Sequence, residues 1–241
     1  MTTILALDSS TESCSVALLR GSGEQTEIIG QSQLAVRQHN LVLLPMVERV
    51  LAEADCSLSQ VDLIAFGRGP GSFVGVRVGC GVAQGLAFGI DCPVVAVSTL
   101  RAMAQGAYRA FGAEAVMSAI DARMKEIYWG AFTLDDKQCM QPLVDEMVCP
   151  PEQALFSPSC EAISSDWSAM GTGWCYRDRI LADISVSESK VVRIEEQWFP
   201  DSKDIAMLAV HELAAGNVVS AEHAQPTYLR NQVANKPTKK T

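Results

Sequence analysis

GPGSFVGVRVGCGVAQGLAFG, residues 69–89, holds seven of the 17 glycines of the chain. Six of them form two rows with a spacing of four residues, Gly71–Gly75–Gly79 and Gly81–Gly85–Gly89. On a helix these six positions project into one arc of roughly 160°. Each glycine costs a helix ~1 kcal/mol relative to alanine, so a helix with this composition needs support from packing. We therefore predict a helix whose thin side lets another backbone approach closely, as a docking element does.

Composition limits the class of protein. The chain has 241 residues, 48% hydrophobic residues and a mean hydropathy of +0.13, which is typical of a globular protein with one large domain or two ordinary ones. Its formal net charge is −9 and its pI is near 4.8. Because phosphate binding requires clustered lysine and arginine, this charge argues against a chain that grips nucleic acid by itself.

Location is predicted from the N-terminus and from residues 72–90. The first residues, MTTILALDSS, begin directly with a strand-like run and lack the basic and long apolar regions of a secretory signal. Residues 72–90 approach the length of a membrane span, but Arg77 and Gln84 inside the run favour a buried helix. The eight cysteines contain no CxxC pair, which is typical of reduced core thiols. We expect a cytoplasmic protein with no membrane partner.

Hydrophobic periodicity predicts the order βββαβαβα for the first half of the chain. Strands are expected at 4–7, 14–19, 26–33, 63–66 and 94–97, and helices at about 37–54, 72–88 and 100–110. The second half repeats nearly the same order, with strands at 116–120, 126–134, 143–148, just before Gly171, and 191–194, and helices from Glu152, at 174–181 and at 203–215.

A βββαβαβα unit that occurs twice is the layout of the actin, Hsp70 and sugar-kinase superfamily. In that superfamily a ribonuclease-H-like domain is duplicated around a cleft. We therefore predict an α/β, duplicated ribonuclease-H-like two-domain fold. The first domain is expected at residues 1–100 and carries the partner-binding helices, and the second is expected at 101–220. Residues 221–241 are expected to return toward the first domain and to end in a flexible tail.

Two short segments are candidates for a degenerate nucleotide site. Asp8, Ser9, Ser10 and Thr11 follow the first strand, where this superfamily has its first phosphate loop, and Gly171 and Gly173 form a turn on the expected opposite wall of the cleft. A carboxylate and hydroxyls can hold a metal ion or a phosphate. No glycine stands in the first loop, which makes close backbone approach to a phosphate harder. A simple Asx turn is the alternative interpretation.

Other chemical motifs are missing. The chain has no GxxxxGK[ST], its Gly69, Gly71, Gly75 spacing is one residue too long for a dinucleotide fingerprint, and Ser72 lacks the glycines of a nucleophile elbow. Only three histidines occur, and none forms an HxxxH or HExxH pair. We therefore expect no metal site, no catalytic residue and no cofactor, although ATP binding to the first loop stays an open alternative.

Five motifs carry a resemblance to a known family. They are GPGSFVGVRVG (69–79), ILALDSST (4–11), RQHNLVLLP (37–45), IDARMKEIYWG (120–130) and PTYLRN (226–231). Together they resemble the bacterial TsaB (YeaZ) family, whose hallmark looks like GPGSFTGxRxG. Val74 stands where the family usually has threonine. The resemblance covers nearly all of the chain apart from its C-terminal tail.

The resemblance implies a function. Proteins of this family are non-catalytic subunits of the complex that transfers a threonylcarbamoyl group from threonylcarbamoyl-AMP to the adenosine beside the anticodon of tRNA. The implied partners are the catalytic subunit TsaD and the ATPase TsaE, with tRNA met only through the complex. Two alternatives remain, a stand-alone ATP-dependent enzyme of the kinase type and a glycoprotease-like peptidase, and the histidine count argues against the second.

In this family the partner interface is built from the first two helices of the N-terminal domain. One face of the glycine-rich helix is expected to pack internally and the other to meet the partner. A homodimer through the same surface is expected when the partner is absent, because that surface is too apolar to leave bare. The predicted interface residues are His39, Leu43, Val47, Val50, Phe73, Val74, Gly75, Val76, Arg77, Gly79, Cys80, Ala83, Gln84 and Ala87.

Overall fold

The computed structural model describes residues 2–21, 26–154, 160, 166–183 and 190–230. Within these ranges the chain forms two β-sheets with helices between and outside them. The flexible tail predicted at 231–241 lies outside the described residues.

The first sheet has the strand order β3-β2-β1-β4-β5. Its strands are β1 (Thr2–Asp8), β2 (Ser13–Gly21), β3 (Glu27–Leu34), β4 (Leu63–Gly67) and β5 (Val94–Val97). Strands β1, β2 and β3 pair antiparallel, whereas β4 and β5 run parallel to β1. The helices of this half are α1 (His39–Glu53), α2 (Phe73–Ile90) and α3 (Thr99–Phe111). The predicted order βββαβαβα is confirmed.

The second sheet repeats this topology. Its strands are β6 (Ala115–Arg123), β7 (Glu126–Leu134), β8 (Met140–Pro142), β9 (Met147–Cys149), β10 (Trp167–Met170) and β11 (Val191–Glu195). The order is β11-β10-β6-β7-β8, and β9 also pairs with β7. With β8 and β9 together in the place of β3, the two sheets have the same order and strand directions. The α-helices whose bounds the structure describes in this half are α4 (Arg177–Asp183) and α5 (Ser202–Ala214). The duplicated fold is confirmed.

Alternation along β1 shows how the first sheet is covered. Leu5 and Leu7 belong to the core shared with α1 and α2, while Ile4 and Ala6 belong to the core on the other face. All four side chains have no exposed surface. Because successive side chains of a strand point to opposite faces, the apolar run of β1 predicts a strand buried on both sides.

Each of the two helices between the sheets covers the sheet that the other half of the chain forms. Helix α5 covers the inner face of the first sheet, where Ile205 and Leu208 join its core. Helix α3 covers the second sheet, where Leu100 and Met103 pack with Phe132. The layers are therefore α1 and α2, the first sheet, α5 with α3, the second sheet and α4.

Three predicted elements differ from the structure. The predicted strand at 143–148 is wrong in its first part, because β8 ends at Pro142 and β9 begins only at Met147. Leu143 and Val144 supply the apolar character, but they pack on the core from a loop. The helix predicted from Glu152 is a short 3-10 turn at Pro151–Gln153, beyond which most of the segment lies outside the described residues. The helix predicted at 174–181 begins as a 3-10 turn and becomes α4 at Arg177.

Helix α2 is, among the described residues, the one helix long and apolar enough to cross a membrane by length and composition. Its Cys80, Ala83 and Ala87 are buried in the core of the first sheet. The helix is therefore part of the outer layer of this sheet, and that packing explains one part of its apolar character.

Candidate partner surface and interdomain cleft

The start of α2 is bonded to the loop that follows β1. Ser72 caps the helix, since its Oγ accepts a hydrogen bond from the N–H of Gly75 at 3.3 Å. The N–H of Ser72 in turn donates to the carbonyl oxygen of Ser10 at 2.7 Å, and the Ser9 hydroxyl donates to the carbonyl oxygen of Gly75 at 2.9 Å. These bonds hold the backbone of the helix start directly against the loop.

The first glycine row makes this close approach possible. A Cβ added at Gly71 would lie 2.2 Å from the carbonyl oxygen of Ser10, and one added at Gly75 would lie 2.0 Å from that of Ser9. At Gly79 the nearest atom would be the Ser9 hydroxyl oxygen at 2.9 Å. Real Cβ atoms do not come this close to backbone, so the first row serves packing within the chain.

The second glycine row has the opposite surroundings. A Cβ added at Gly81, Gly85 or Gly89 would meet no heavy atom of the chain within 4 Å. All three glycines are exposed. The two rows, which the sequence predicts on one thin side, therefore have different roles, and only the second is available to another molecule.

Exposed apolar side chains accompany the second row. Leu41 and Leu44 of α1 are 67% and 47% exposed, and Val74 and Phe88 of α2 are 65% and 81% exposed. We call these four side chains, together with the second glycine row, the apolar helix face. Helices α1 and α2 contact each other on one side of the first sheet, so all of these positions belong to the outer helix layer of the fold. Groups of large exposed apolar side chains mark interaction sites.

The predicted interface residues divide into two groups. Phe73, Val74 and Arg77 are exposed, and Gln84 is half-buried with its Nε2 donating to the carbonyl oxygen of Ala224 at 2.8 Å. The remaining ten are buried in the fold of the chain itself: His39, Leu43, Val47, Val50, Gly75, Val76, Gly79, Cys80, Ala83 and Ala87. The ten buried residues cannot contact a partner directly, so a direct contact would involve the first group.

Periodicity explains this result. The apolar stripe of each helix is the stripe that packs on the sheet, so residues selected from it are mostly core residues. The sequence reasoning missed Leu41, Leu44 and Phe88 as interface candidates. The available signal was that these large apolar residues lie outside the stripe that the core requires.

The loop after β1 uses its polar groups internally. Ser10 donates from both its N–H and its hydroxyl to the carboxylate of Asp8, at 2.9 Å each to Oδ1. Its hydroxyl also accepts from Thr99 at 3.0 Å. Thr11 accepts a hydrogen bond from the N–H of Ser13 with its side chain, and its carbonyl oxygen lies 2.7 Å from Nε2 of His39. The loop is therefore bonded like an Asx turn rather than an open phosphate cradle.

Asp8 is not available for an ion in its present surroundings. It is 1% exposed, and burial raises its pKa to about 7, although the hydrogen bonds from Ser10 act in the opposite direction. A Cβ at Gly67 would lie 1.8 Å from its Oδ2, which shows how tightly the carboxylate is enclosed.

The two glycines predicted on the opposite wall pack against the second sheet instead. Gly171 has φ +108°, and a Cβ there would lie 2.3 Å from the carbonyl oxygen of Ala119 on β6. A Cβ at Gly173 would lie 2.7 Å from the Ala119 side chain. Neither glycine lines the cavity at the mouth of the cleft. Of the predicted nucleotide residues, only Ser10 and Thr11 do so.

That cavity has a volume of about 700 Å³. It lies between the loop after β1, the start of α2, the β6–β7 hairpin at 121–124 and the C-terminal segment Thr227–Arg230. Arginine side chains from several of these elements line it. Among the residues that the structure describes, no group of three or more histidine, cysteine, aspartate or glutamate side chains is placed to hold a metal ion.

Comparison with known proteins identifies the family. The chain is 41% identical over 231 residues to the tRNA threonylcarbamoyladenosine biosynthesis protein TsaB of Escherichia coli (strain K12). The aligned region covers 96% of this chain and 96% of that protein. The structure of YeaZ from Pseudomonas aeruginosa superimposes with a TM-score of 0.85 at 45% identity, covering 95% of this chain and all of that one. The chain belongs to the TsaB (YeaZ) family.

Further matches agree with the TsaB assignment. The TsaB protein of Haemophilus influenzae is 42% identical over 239 residues, covering 96% of this chain and 94% of its own. The family described as "TsaD: tRNA N6-adenosine threonylcarbamoyltransferase" matches residues 28–238. The resemblance inferred from the five motifs is therefore confirmed, as is the fold predicted from the order of strands and helices.

Proposed function

We propose that this chain is a non-catalytic scaffold subunit of the cytoplasmic complex that transfers a threonylcarbamoyl group from threonylcarbamoyl-AMP to the adenosine beside the anticodon of tRNA. Membership of the TsaB family supports the pathway, since the relatives carry the name of a tRNA threonylcarbamoyladenosine biosynthesis protein. The scaffold role rests on the surface and on the cleft of the chain itself.

The observation that carries the proposal is the apolar helix face. Gly81 and Gly85 leave the backbone of α2 bare, and Phe88 is exposed about one turn further along the same helix. Leu41 and Leu44 are exposed on the neighbouring helix α1. Two helices can approach each other closely at such a surface, and burial of the exposed side chains supplies the driving force. A helix pair from a second protein is the occupant that fits this shape.

The occupant in the complex is the catalytic subunit TsaD. The TsaD family matches most of this chain, so a TsaD protein carries an equivalent domain and can present an equivalent helix pair. A second copy of the chain takes the same place when TsaD is absent, which gives a homodimer. TsaE docks on the assembled pair, and tRNA is held mainly by the partners because this chain has a net charge of −9.

The cleft supports the non-catalytic part of the proposal. A phosphate-binding loop needs free N–H and hydroxyl donors, but Ser9 and Ser10 donate to the chain itself. Asp8, the residue in the position of a metal-binding carboxylate, is enclosed and has a raised pKa. The cleft wall of this subunit is thus built for rigidity rather than for nucleotide binding.

A Gly85→Leu substitution tests the docking surface. No atom of the chain lies within 4 Å of the added Cβ, so the variant should fold, while the leucine should block close approach of a partner helix. We expect calorimetry with TsaD to show at least a tenfold loss of affinity, and size-exclusion chromatography of the lone variant to show a monomer. Ala110→Leu, an equally small-to-large change at an exposed position of α3, is the control. Unchanged TsaD binding by Gly85→Leu would refute the docking surface.

A second experiment tests the non-catalytic role. Calorimetry of the lone chain with ATP should show no binding, and tRNA modification should require the chain together with TsaD and TsaE. Tight ATP binding with turnover by the lone chain would contradict the proposal and would favour the kinase-type alternative.

A further inference from the structure

The C-terminal segment Thr227–Arg230, which we call the strap, is anchored on the first half of the fold. Upstream of it, Val219 pairs with Val94 at the edge of the first sheet. The N–H of Thr227 then donates to the carbonyl oxygen of Arg68 at 2.7 Å, immediately after β4. The strap therefore begins at a fixed position beside the start of α2.

The strap next contacts α2 through an arginine between two rings. The guanidinium carbon of Arg77 lies 3.3 Å from the ring centre of Phe73 and 4.9 Å from that of Tyr228. The two rings are 6.2 Å apart. Phe73 and Tyr228 are 58% and 44% exposed, so a molecule covering the start of α2 would desolvate this stack. Cation–π interactions strengthen when they are removed from water.

The end of the strap is bonded to the other half of the fold. The Arg230 guanidinium donates to the carboxylate of Glu126 at 2.5 Å and to the carbonyl oxygen of Arg123 at 3.5 Å. The Arg230 side chain is 17% exposed, which makes this a partly buried ion pair. Arg123, Met124 and Lys125 form the turn of the β6–β7 hairpin, with φ of +63°, +57° and +63°. One acceptor therefore belongs to the turn, and Glu126 follows it directly.

Among the described residues, few other polar contacts link this hairpin to the first half of the fold. The Arg123 guanidinium lies 3.4 Å from the carboxylate of Glu12, but these side chains are 74% and 39% exposed. Exposed pairs of this kind contribute little to stability. Within the hairpin, the Asp121 carboxylate accepts from the N–H of Arg123 at 2.9 Å and from its guanidinium at 3.0 Å. Of the two ion pairs that reach the hairpin from outside it in the described chain, Arg230–Glu126 is the more buried and therefore the better placed to support the left-handed turn.

We propose that the strap transmits occupation of the α2 start to the β6–β7 hairpin on the other side of the cleft. A partner that covers Phe73 immobilises Arg77 and Tyr228, and the short segment to Arg230 then holds Glu126 and the hairpin turn in place. The identity of the partner, the catalytic subunit, rests on the proposed function. Coupling of this kind is reciprocal, so a fixed hairpin also strengthens partner binding.

Hydrogen exchange of peptides covering residues 121–127 tests the strap in the lone chain. We expect Arg230→Gln to accelerate exchange in this hairpin at least fivefold, and Glu126→Gln to do the same if Arg230→Gln folds poorly. Arg193→Gln, which breaks the exposed Arg193–Glu195 pair on β11, is the matched control and should leave the hairpin unchanged. Equal hairpin exchange in the Arg230→Gln, Glu126→Gln and control variants would overturn the proposal that the strap holds the hairpin.

The same measurement with TsaD tests the transmission. Binding of TsaD should slow exchange of residues 121–127 at least fivefold in the parent chain, and Arg230→Gln should abolish most of this slowing while TsaD still binds. Binding without any slowing would overturn the transmission and leave the proposed function intact. Failure of the parent chain to bind TsaD would instead contradict the proposed function. The experiment on the lone chain would still show whether the strap holds the hairpin.

Discussion

Gly75 faces the carbonyl oxygen of Ser9 so closely that an added Cβ would come within 2.0 Å of it. Ten residues later on the same helix, a Cβ at Gly85 would meet nothing within 4 Å. Two glycines that look equivalent in the sequence are therefore subject to opposite constraints. The first is required by the fold, whereas the second is free of the fold and open to a partner.

Alanine at these two positions should change stability in opposite directions. Gly75→Ala pushes its Cβ into backbone and should lower the free energy of unfolding by about 2 kcal/mol, as overpacking does. Gly85→Ala should raise it by up to ~1 kcal/mol because alanine is the better helix former. Urea denaturation at a single protein concentration measures both. Equal effects of the two substitutions would show that the glycine rows do not differ.

The enclosed Asp8 predicts a pH dependence of stability. Burial raises its pKa from 3.8 to about 7, so between these values the folded chain keeps a proton that the unfolded chain has lost. The folded state binds more protons in this window, and stability therefore falls as the pH rises through it. Asp8→Asn should remove the part of this fall that Asp8 causes and be more stable than the parent above pH 7, by roughly 4 kcal/mol at most. Thermal denaturation curves of the two proteins that stay parallel between pH 4 and pH 8 would contradict this.

The pair Arg109–Asp204 joins α3 to α5 between the two sheets. Two hydrogen bonds of 2.8 Å link the guanidinium and the carboxylate, and Asp204 is 1% exposed. Burial raises the pKa of Asp204 to about 6 even though Arg109 lowers it. Arg109→Met leaves a buried carboxylate alone and should cost about 3 kcal/mol of unfolding free energy. The double variant Arg109→Met/Asp204→Asn should recover most of this loss in the same denaturation assay, and no recovery would mean that the pair is not the cause.

Cys175 should be the first thiol to react in the native chain. None of the eight cysteines forms a disulfide bond, and Cys175 is the exposed one, whereas Cys92 is half-buried and the others are buried. Partial burial still raises the pKa of Cys175, so alkylation should be slow near neutral pH and faster as the pH rises. Mass spectrometry after brief iodoacetamide treatment should locate the label at this residue. Cys175→Ser should eliminate the first labelled species.

The sequence predicted the repeated strand order because β1 and the other inner strands are apolar on both faces and are separated by clear helical periods. It could not predict which sheet each inner helix covers. The buried sides of α3 and α5 consist of similar small and aliphatic residues, such as Ala104 and Ala206. The choice between two apolar sheet faces depends on the path of the chain rather than on local pattern.

The sequence predicted which helices form the candidate site, but it predicted the exposed residues of that site less well. GPGS and the motif around Arg37 point to α1 and α2, which the structure brings together. Gly75 differs from Gly85 because the loop at Ser9 packs against it, and that loop is distant from both glycines in the sequence. The same holds for the strap, since nothing near Arg230 in the sequence identifies Glu126 as its partner.

The first sheet is covered on its inner face by a helix from the second half of the chain, and this has a consequence during synthesis. The inner face of the first sheet, including Ile4 and Ala6, is covered by α5, which ends at Ala214. The first sheet therefore stays uncovered on one side until nearly the whole chain has left the ribosome. A nascent chain halted after residue 111 should bind a chaperone that recognises apolar strands, whereas the full chain released from the ribosome should not.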